Sequence, residues 1–249
     1  MSQEVQSKRV ALVTGASKNI GRAIALALAD QGCDLVIHTG TDREGLEETR
    51  QQLAAKGRAA LALLGDLTEI ATASSLIEQV SAQYGKLDIL VNNAALRPET
   101  PFADLSYKQW REVMALGLDA PFLLSQAALP LLLKSEQASI VNIGGLTAHT
   151  GAKHRAHVIA AKSGLVGLTK ALAHELSPQG IMVNCIAPGL INTTRQTGQS
   201  PHHHASRTTL VERRGEPEEV AQAVAYLCSK QARYITGQTI HINGGAYLA

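Results

Sequence analysis

Short runs of branched apolar residues alternate along this chain with longer stretches whose apolar positions recur at helical spacing. Residues 9–13 run into Thr14-Gly15 and predict a first strand, followed by an Ala/Leu-rich helix over 20–29. A second strand over 34–38 and a second helix over 46–55 come next. A strand over 59–64, a helix over 71–84 and a strand over 87–91 ending in Asn92-Asn93 continue the pattern. One long helical stretch then covers about 107 to 133, with a bend expected near Gly117 and Pro121. A strand over 139–143, a helix over 158–176, a strand over 182–186, a helix over 217–229 and a strand over 239–242 complete the chain. Strands this uniformly apolar, separated by helices, imply right-handed βαβ units. The expected fold is therefore α/β, a doubly wound parallel sheet with helices on both faces. Residues 1–249 read as a single domain without repeat or linker, and a polar stretch at about 190–210 reads as a substrate loop.

Composition narrows the function classes. With 45% hydrophobic and only 3% aromatic residues, a large core must be filled by aliphatic side chains. A net charge of +2 gives no reason to expect a nucleic-acid or membrane partner. Cys33, Cys185 and Cys228 are widely spaced with no CxxC pair, as expected of reduced thiols. The first nine residues are polar, and no apolar run reaches the roughly 20 residues that span a bilayer. A cytoplasmic protein acting on a small-molecule substrate is expected.

In such sheets ligands bind beyond the carboxyl ends of the strands. Thr14-Gly15-Ala16-Ser17-Lys18-Asn19-Ile20-Gly21 joins the first strand to the first helix. Glycine permits the tight turn, and the helix N-terminus offers N–H groups to a phosphate. Asn19 stands where the dinucleotide fingerprint has its middle glycine, and Asn tolerates left-handed backbone better than most residues. Gly65-Asp66-Leu67-Thr68 follows the third strand, Asn92-Asn93-Ala94-Ala95 the fourth, and Pro188-Gly189-Leu190-Ile191-Asn192-Thr193 the sixth.

With these motifs in this order, the chain resembles the short-chain dehydrogenase/reductase family over almost its full length, and in particular its 3-oxoacyl-ACP-reductase-like members. Tyr234-Ile235-Thr236-Gly237-Gln238 and Asn243-Gly244-Gly245 also look like the family's ending. The resemblance implies a Rossmann-type cofactor fold and a homotetramer or homodimer. It places Gly15, Ser17, Lys18, Asn19, Ile20, Gly21 and Thr39 around the cofactor phosphates. Asp66 and Leu67 would contact the adenine, Asn93, Ala94 and Ala95 would line the ribose and pyrophosphate path, and Pro188, Gly189 and Thr193 would flank the nicotinamide. NAD sites carry an acid after the second strand for the ribose 2′-hydroxyl. Here that turn is His38-Thr39-Gly40-Thr41, with no acid before Asp42, while Lys18 and Arg43 are cations suited to a 2′-phosphate. NADP(H) is accordingly expected over NAD(H).

The chemical end departs from the family. Its serine position falls on Gly145, its tyrosine on Val158 and its helix asparagine on Gly117, and only the lysine, Lys162, is kept. Lys162 would bind the nicotinamide ribose or act itself as the acid. Thr147 offers a hydroxyl two residues beyond Gly145. His149, His154 and His157 lie just upstream of Lys162, and His154 and His157 are candidate proton donors. His154 would share the face of Val158 if the helix begins early. His202-His203-His204 reads as part of the substrate loop, and no metal centre is expected. The expected function is an NADP(H)-dependent oxidoreductase with a non-standard proton donor. A non-catalytic dinucleotide-binding protein, or a non-redox lyase or hydratase, stands as the alternative.

Overall fold

The structure, a computed structural model, describes residues 8–194 and 208–248. Seven strands form one parallel sheet: β1 (Val10–Thr14), β2 (Asp34–Thr39), β3 (Ala60–Leu64), β4 (Ile89–Asn92), β5 (Ser139–Ile143), β6 (Met182–Pro188) and β7 (Thr239–Ile242), in the order β3-β2-β1-β4-β5-β6-β7. Every adjacent pair is parallel. The helices are α1 (Asn19–Asp30), α2 (Arg43–Ala55), α3 (Ile70–Tyr84), α4 (Tyr107–Met114), α5 (Ala120–Leu132), α6 (Thr147–Thr150), α7 (Ala156–Leu176) and α8 (Pro217–Leu227).

Alternation along the strands divides the core in two. Ala11, Val13, Leu35, Ile37, Ile89 and Val91 point to one face and pack against α1, α2 and α8. Val10, Leu12, Val36, Leu90 and Ile140 point to the other, against α3, α5 and the C-terminal half of α7. All residues of β1, β4, β5 and β6 are buried, which is why these strands read as continuous apolar runs. Chain order reverses between β1 and β4, so a crevice opens beyond their carboxyl ends.

Most elements lie where the apolar pattern puts them, and two expectations need correction. The stretch expected as one bent helix over 107–133 is α4 and α5 joined by a π-helical turn, Ala115–Asp119. The combined helical run Tyr107–Leu132, 26 residues with mean hydropathy 1.4, is long and apolar enough to cross a membrane by length and composition alone. In this fold its apolar side packs against α3 and α7. The helix carrying Lys162 starts at Ala156, two residues earlier than the pattern indicated. The three cysteines are free and buried, and burial pushes the thiols of Cys185 and Cys228 up to about 11 and about 12.

Candidate active site

Beyond the ends of β1, β4, β5 and β6 lies a cavity of about 270 Å³. Its first wall is the β1–α1 loop, where Gly15, Ser17, Lys18, Asn19, Ile20 and Gly21 all line it. Gly15 has φ +64°, and a Cβ there would come within 3.0 Å of the Ala94 Cα. At Gly21 a Cβ would come within 2.0 Å of the Gly15 carbonyl oxygen. The loop thus doubles back tightly enough to turn the start of α1 into the cavity. Lys18, the N-cap of α1, makes no side-chain capping bond, and the first turn carries no acidic residue. Such a helix end presents unsatisfied N–H groups to an anion.

Asn19 takes up the left-handed backbone that a glycine would use, at φ 51°. Its amide also clasps the far wall. The Asn19 Nδ2 donates to the Thr194 carbonyl at 3.0 Å, and its Oδ1 accepts from the Thr194 N–H at 2.9 Å and the Thr194 hydroxyl at 3.1 Å. A glycine could not make this link.

Asn93 fixes the floor. Its Nδ2 donates to the carbonyls of Thr14 and Gly15 at 2.9 and 3.0 Å, while the N–H groups of Asn93 and Ala94 both donate to the Thr14 hydroxyl at 3.0 Å. Asn93, Ala94 and Ala95 all face the cavity, as do Pro188, Gly189 and Thr193 on the β6 side. Gly189 packs so closely on Asn243 that a Cβ would lie 2.7 Å from its Cα.

Thr39, Asp66 and Leu67 stand outside the cavity lining, at the β2 and β3 edge. The Thr39 hydroxyl donates to the Ser17 Oγ at 3.4 Å. The Asp66 carboxylate accepts from the Thr68 N–H and hydroxyl, which hold its carboxyl below the usual range, and Leu67 is part of the core. Asp42 is committed elsewhere: it caps α2 through the Gly45 N–H and lies 3.5 Å from the Lys18 ammonium. Arg43 is exposed.

The opposite end holds the substituted positions. Val158, 2% exposed, borders the cavity and packs with Val113 and Ala161. Gly145 also borders it, and nothing lies within 4 Å of where its Cβ would be. Gly117 is buried in the π turn, where a Cβ would stand 3.0 Å from the Ala161 Cβ. Lys162 is buried and donates from Nζ to the Ile143 carbonyl at 2.6 Å. Burial lowers its ammonium to about 8; Cys185 opposes this, and the charges of Arg97 and Arg155, each a smaller effect than Cys185, add to it. Thr147 lines the same end.

The structure brings neither candidate histidine to the cavity. His154 is exposed, with φ 62°, and precedes α7, so it cannot share the face of Val158. His157 lies on the helix but turns into the interior, where it is fully buried and neither ring nitrogen is hydrogen-bonded. His149 instead meets His241 edge-on, with ring centroids 4.6 Å apart. His202, His203 and His204 lie outside the described residues. Among the described residues no cluster of three or more metal-ligating side chains occurs.

Sequence reasoning missed Arg97 and Arg155, which both line the cavity. Arg155 is the N-cap of α7, a position hidden by placing the helix start at 158. Arg97 carries no comparable signal, standing two residues past the Asn92–Ala95 motif on an irregular segment.

Residues 15–247 match the family model described as enoyl-(acyl carrier protein) reductase. The chain belongs to the short-chain dehydrogenase/reductase family. Among relatives of this short-chain dehydrogenase/reductase is the 3-oxoacyl-[acyl-carrier-protein] reductase FabG of Escherichia coli (strain K12), 38% identical over 242 residues that cover 96% of this chain and 98% of that one. A short-chain dehydrogenase from Burkholderia cenocepacia J2315, solved in complex with NADP, superposes with a TM-score of 0.90 at 32% identity, covering 97% of this chain and 98% of that one. A blue fluorescent protein from a metagenomic library, solved in complex with NADPH, gives a TM-score of 0.88 at 31% identity over 96% of this chain and 98% of that one. This chain is thus a member of an oxidoreductase family whose solved structures include NADP(H) complexes.

Proposed function

We propose that the protein is an NADP(H)-dependent oxidoreductase interconverting a carbonyl and an alcohol, with Lys162 handling the proton. The observation that carries this reading is a cavity with a close glycine turn and an uncapped helix start at one end and a buried lysine at the other. Val158, Gly145 and Gly117 supply no acid between them. The cradle fits a dinucleotide phosphate, since Gly15 and Gly21 admit close backbone approach and α1 opens uncapped into the cavity. Gly15, Asn19, Ile20 and Gly21 would hold the pyrophosphate, with Asn93, Ala94 and Ala95 beside it. Asp66 and Leu67 would hold the adenine, and Pro188, Gly189 and Thr193 the nicotinamide. Ser17, Lys18 and Thr39 would hold the 2′-phosphate. The choice of NADP(H) over NAD(H) is supported by Gly40 following β2 and by an Asp42 carboxylate already engaged by a helix cap and Lys18. When bound, the cofactor supplies or accepts the hydride.

Lys162 is the remaining titratable side chain of the chemical end with a labile proton. Its ammonium, lowered to about 8, can give that proton to a substrate oxygen and regain it from solvent. Val158 lines the neighbouring wall, and the Thr147 hydroxyl at the same end would orient the oxygen. The test is turnover of Lys162→Met, His154→Ala and His157→Asn at saturating NADPH. Loss of at least a hundredfold in Lys162→Met, with His154→Ala within twofold, is expected. Equal rates in Lys162→Met and wild type refute the assignment.

The lack of a proton-carrying side chain at Gly145, Val158 and Gly117 also favours a second reading, a cofactor-binding protein without catalysis. NADPH binding with no turnover across carbonyl and alcohol panels would establish it. A cytoplasmic location and a homotetramer or homodimer formed through α4 and α5, α7 and the C-terminal segment complete the proposal. The exposed Phe102, Tyr107, Phe122 and Leu133 along that strip support the assembly, which light scattering would measure.

A further inference from the structure

Asn19 and Thr194 meet across the mouth of the cavity. Asn19 opens α1 on the phosphate-loop wall, and Thr194 stands next to Thr193 on the β6 side. Asn19 is half-buried and Thr194 exposed, so their contact lies toward solvent. Asn93 and Ala94 lie at the floor, bonded to Thr14 and Gly15. The two ends of this bridge are held differently. On the β6 side the chain is pinned to the start of α8: the Gly215 N–H donates to the Leu190 carbonyl at 2.9 Å, the Asn192 N–H to the Gly215 carbonyl at 2.8 Å, and the Asn192 Nδ2 to the Glu216 carboxylate. Two residues beyond that anchor, the Asn19 amide holds Thr194 through its carbonyl, its N–H and its hydroxyl. In a dinucleotide fingerprint the middle glycine lets the backbone approach the pyrophosphate. Here a side chain stands at that position, and the clasp fixes it over the first turn of α1.

We propose that the Asn19–Thr194 clasp is a strap across the dinucleotide path, which opens each time the cofactor enters or leaves. The inference rests on the dinucleotide reading of the cavity, not on turnover. A pyrophosphate held by Gly15, Ile20 and Gly21 lies between the clasp at the mouth and Asn93 and Ala94 at the floor. Gly189 and Thr193, on the nicotinamide side, and the β2 and β3 edge, on the adenine side, stand to either side of it. A dinucleotide reaching both therefore passes beneath the clasp. The strap can open locally. Its three hydrogen bonds are solvent-exposed, where water replaces them at little net cost, and the anchor at Gly215 stays in place when they break. A barrier of this kind slows passage in both directions and leaves the equilibrium nearly unchanged. Asn19→Gly removes it without backbone strain, since glycine accepts φ 51°.

Stopped-flow fluorescence of NADPH gives both rates, entry on mixing with the protein and exit on chasing with excess NADP+. In Asn19→Gly, entry and exit should each rise about tenfold, equivalent to about 1.4 kcal/mol of barrier, with Kd within about threefold of wild type. Thr194→Ala, which deletes the hydroxyl arm alone, should raise both rates by a smaller factor. A side chain that merely stabilises the loop, or merely contacts the cofactor, leaves a different signature: faster exit, entry unchanged or slower, and weaker binding. That signature overturns the strap. So do rates within about twofold of wild type in an Asn19→Gly protein that binds NADPH, and either result leaves the cofactor reading standing. If Asn19→Gly does not fold, Thr194→Ala carries the same comparison, and unchanged rates there count against the strap. Failure of wild type and Asn19→Gly alike to bind NADPH removes the cofactor reading, and the strap with it.

Discussion

At Lys162 the lost tyrosine and the kept lysine meet. The side chain is buried against the Ile143 carbonyl, and the two arginines add repulsion to the effect of burial, so its ammonium falls to about 8. With Lys162 as the proposed acid, its protonated form is the active one in the direction of carbonyl reduction. The rate should hold through neutral pH and decline as pH rises past about 8, which a pH profile of kcat/KM measured with NADPH would register. A profile flat to pH 10 would point to another acid. The neighbouring substitutions invite reversal. Nothing obstructs a side chain at Gly145, whereas Val158 is packed on Val113 and Ala161. Gly145→Ser should leave stability within about 0.5 kcal/mol, as expected of an open position. Val158→Tyr should lower it by about 1–3 kcal/mol through overpacking, and denaturant titration distinguishes the two.

At the level of elements, the π turn and the β1–α1 loop carry the arrangement. The π turn brings Gly117 against Ala161, one residue before Lys162, and a Cβ at 3.0 Å leaves no room for the family's asparagine without a shift. Gly117→Ala should destabilise by about 1–3 kcal/mol, and the pair Gly117→Ala with Ala161→Gly should recover part of that loss. Failure of the double variant to recover would mean that contact is not the cause. In the phosphate loop, Asn19 both tolerates φ 51° and clasps Thr194. Asn19→Ala should lose the clasp and strain the backbone, destabilising by about 1–3 kcal/mol, while Asn19→Gly should lose less. Equal midpoints for the two in thermal denaturation would contradict this. The same elements show what could be read from sequence. Strands such as Ser139–Ile143, buried throughout, and Thr239–Ile242, half-buried with polar and apolar residues alternating, were legible to the residue because turn residues bound them on both sides. The loop from Thr14 to Gly21 was legible because its glycines answer to local backbone geometry. Arg155 and Arg97 were not, because their meaning comes from the meeting of α7 with the segment after β4, a tertiary contact with no local signature. His154 misled because α7 begins at Ala156, which leaves His154 outside the helix in left-handed backbone at φ 62°.

For the whole molecule, the parallel sheet opens one cavity at the β1–β4 crevice, with the β1–α1 loop at one end and Lys162 at the other. A ligand that binds only the folded state raises its stability by mass action, about 2.7 kcal/mol at a hundredfold excess over Kd. At matched concentrations, NADPH should raise the thermal midpoint more than NADH, and Lys18→Ala should narrow that gap. An NADH shift as large as that of NADPH would remove Lys18 from the 2′-phosphate. The most direct test of hydride transfer without the family's tyrosine is NADPH oxidation by the wild-type protein and by Lys162→Met, with NADPH binding measured on both. Turnover by wild type, reduced at least a hundredfold in a Lys162→Met protein that still binds NADPH, is the predicted result. Turnover undiminished in Lys162→Met, or none by a wild type that binds NADPH, would contradict it.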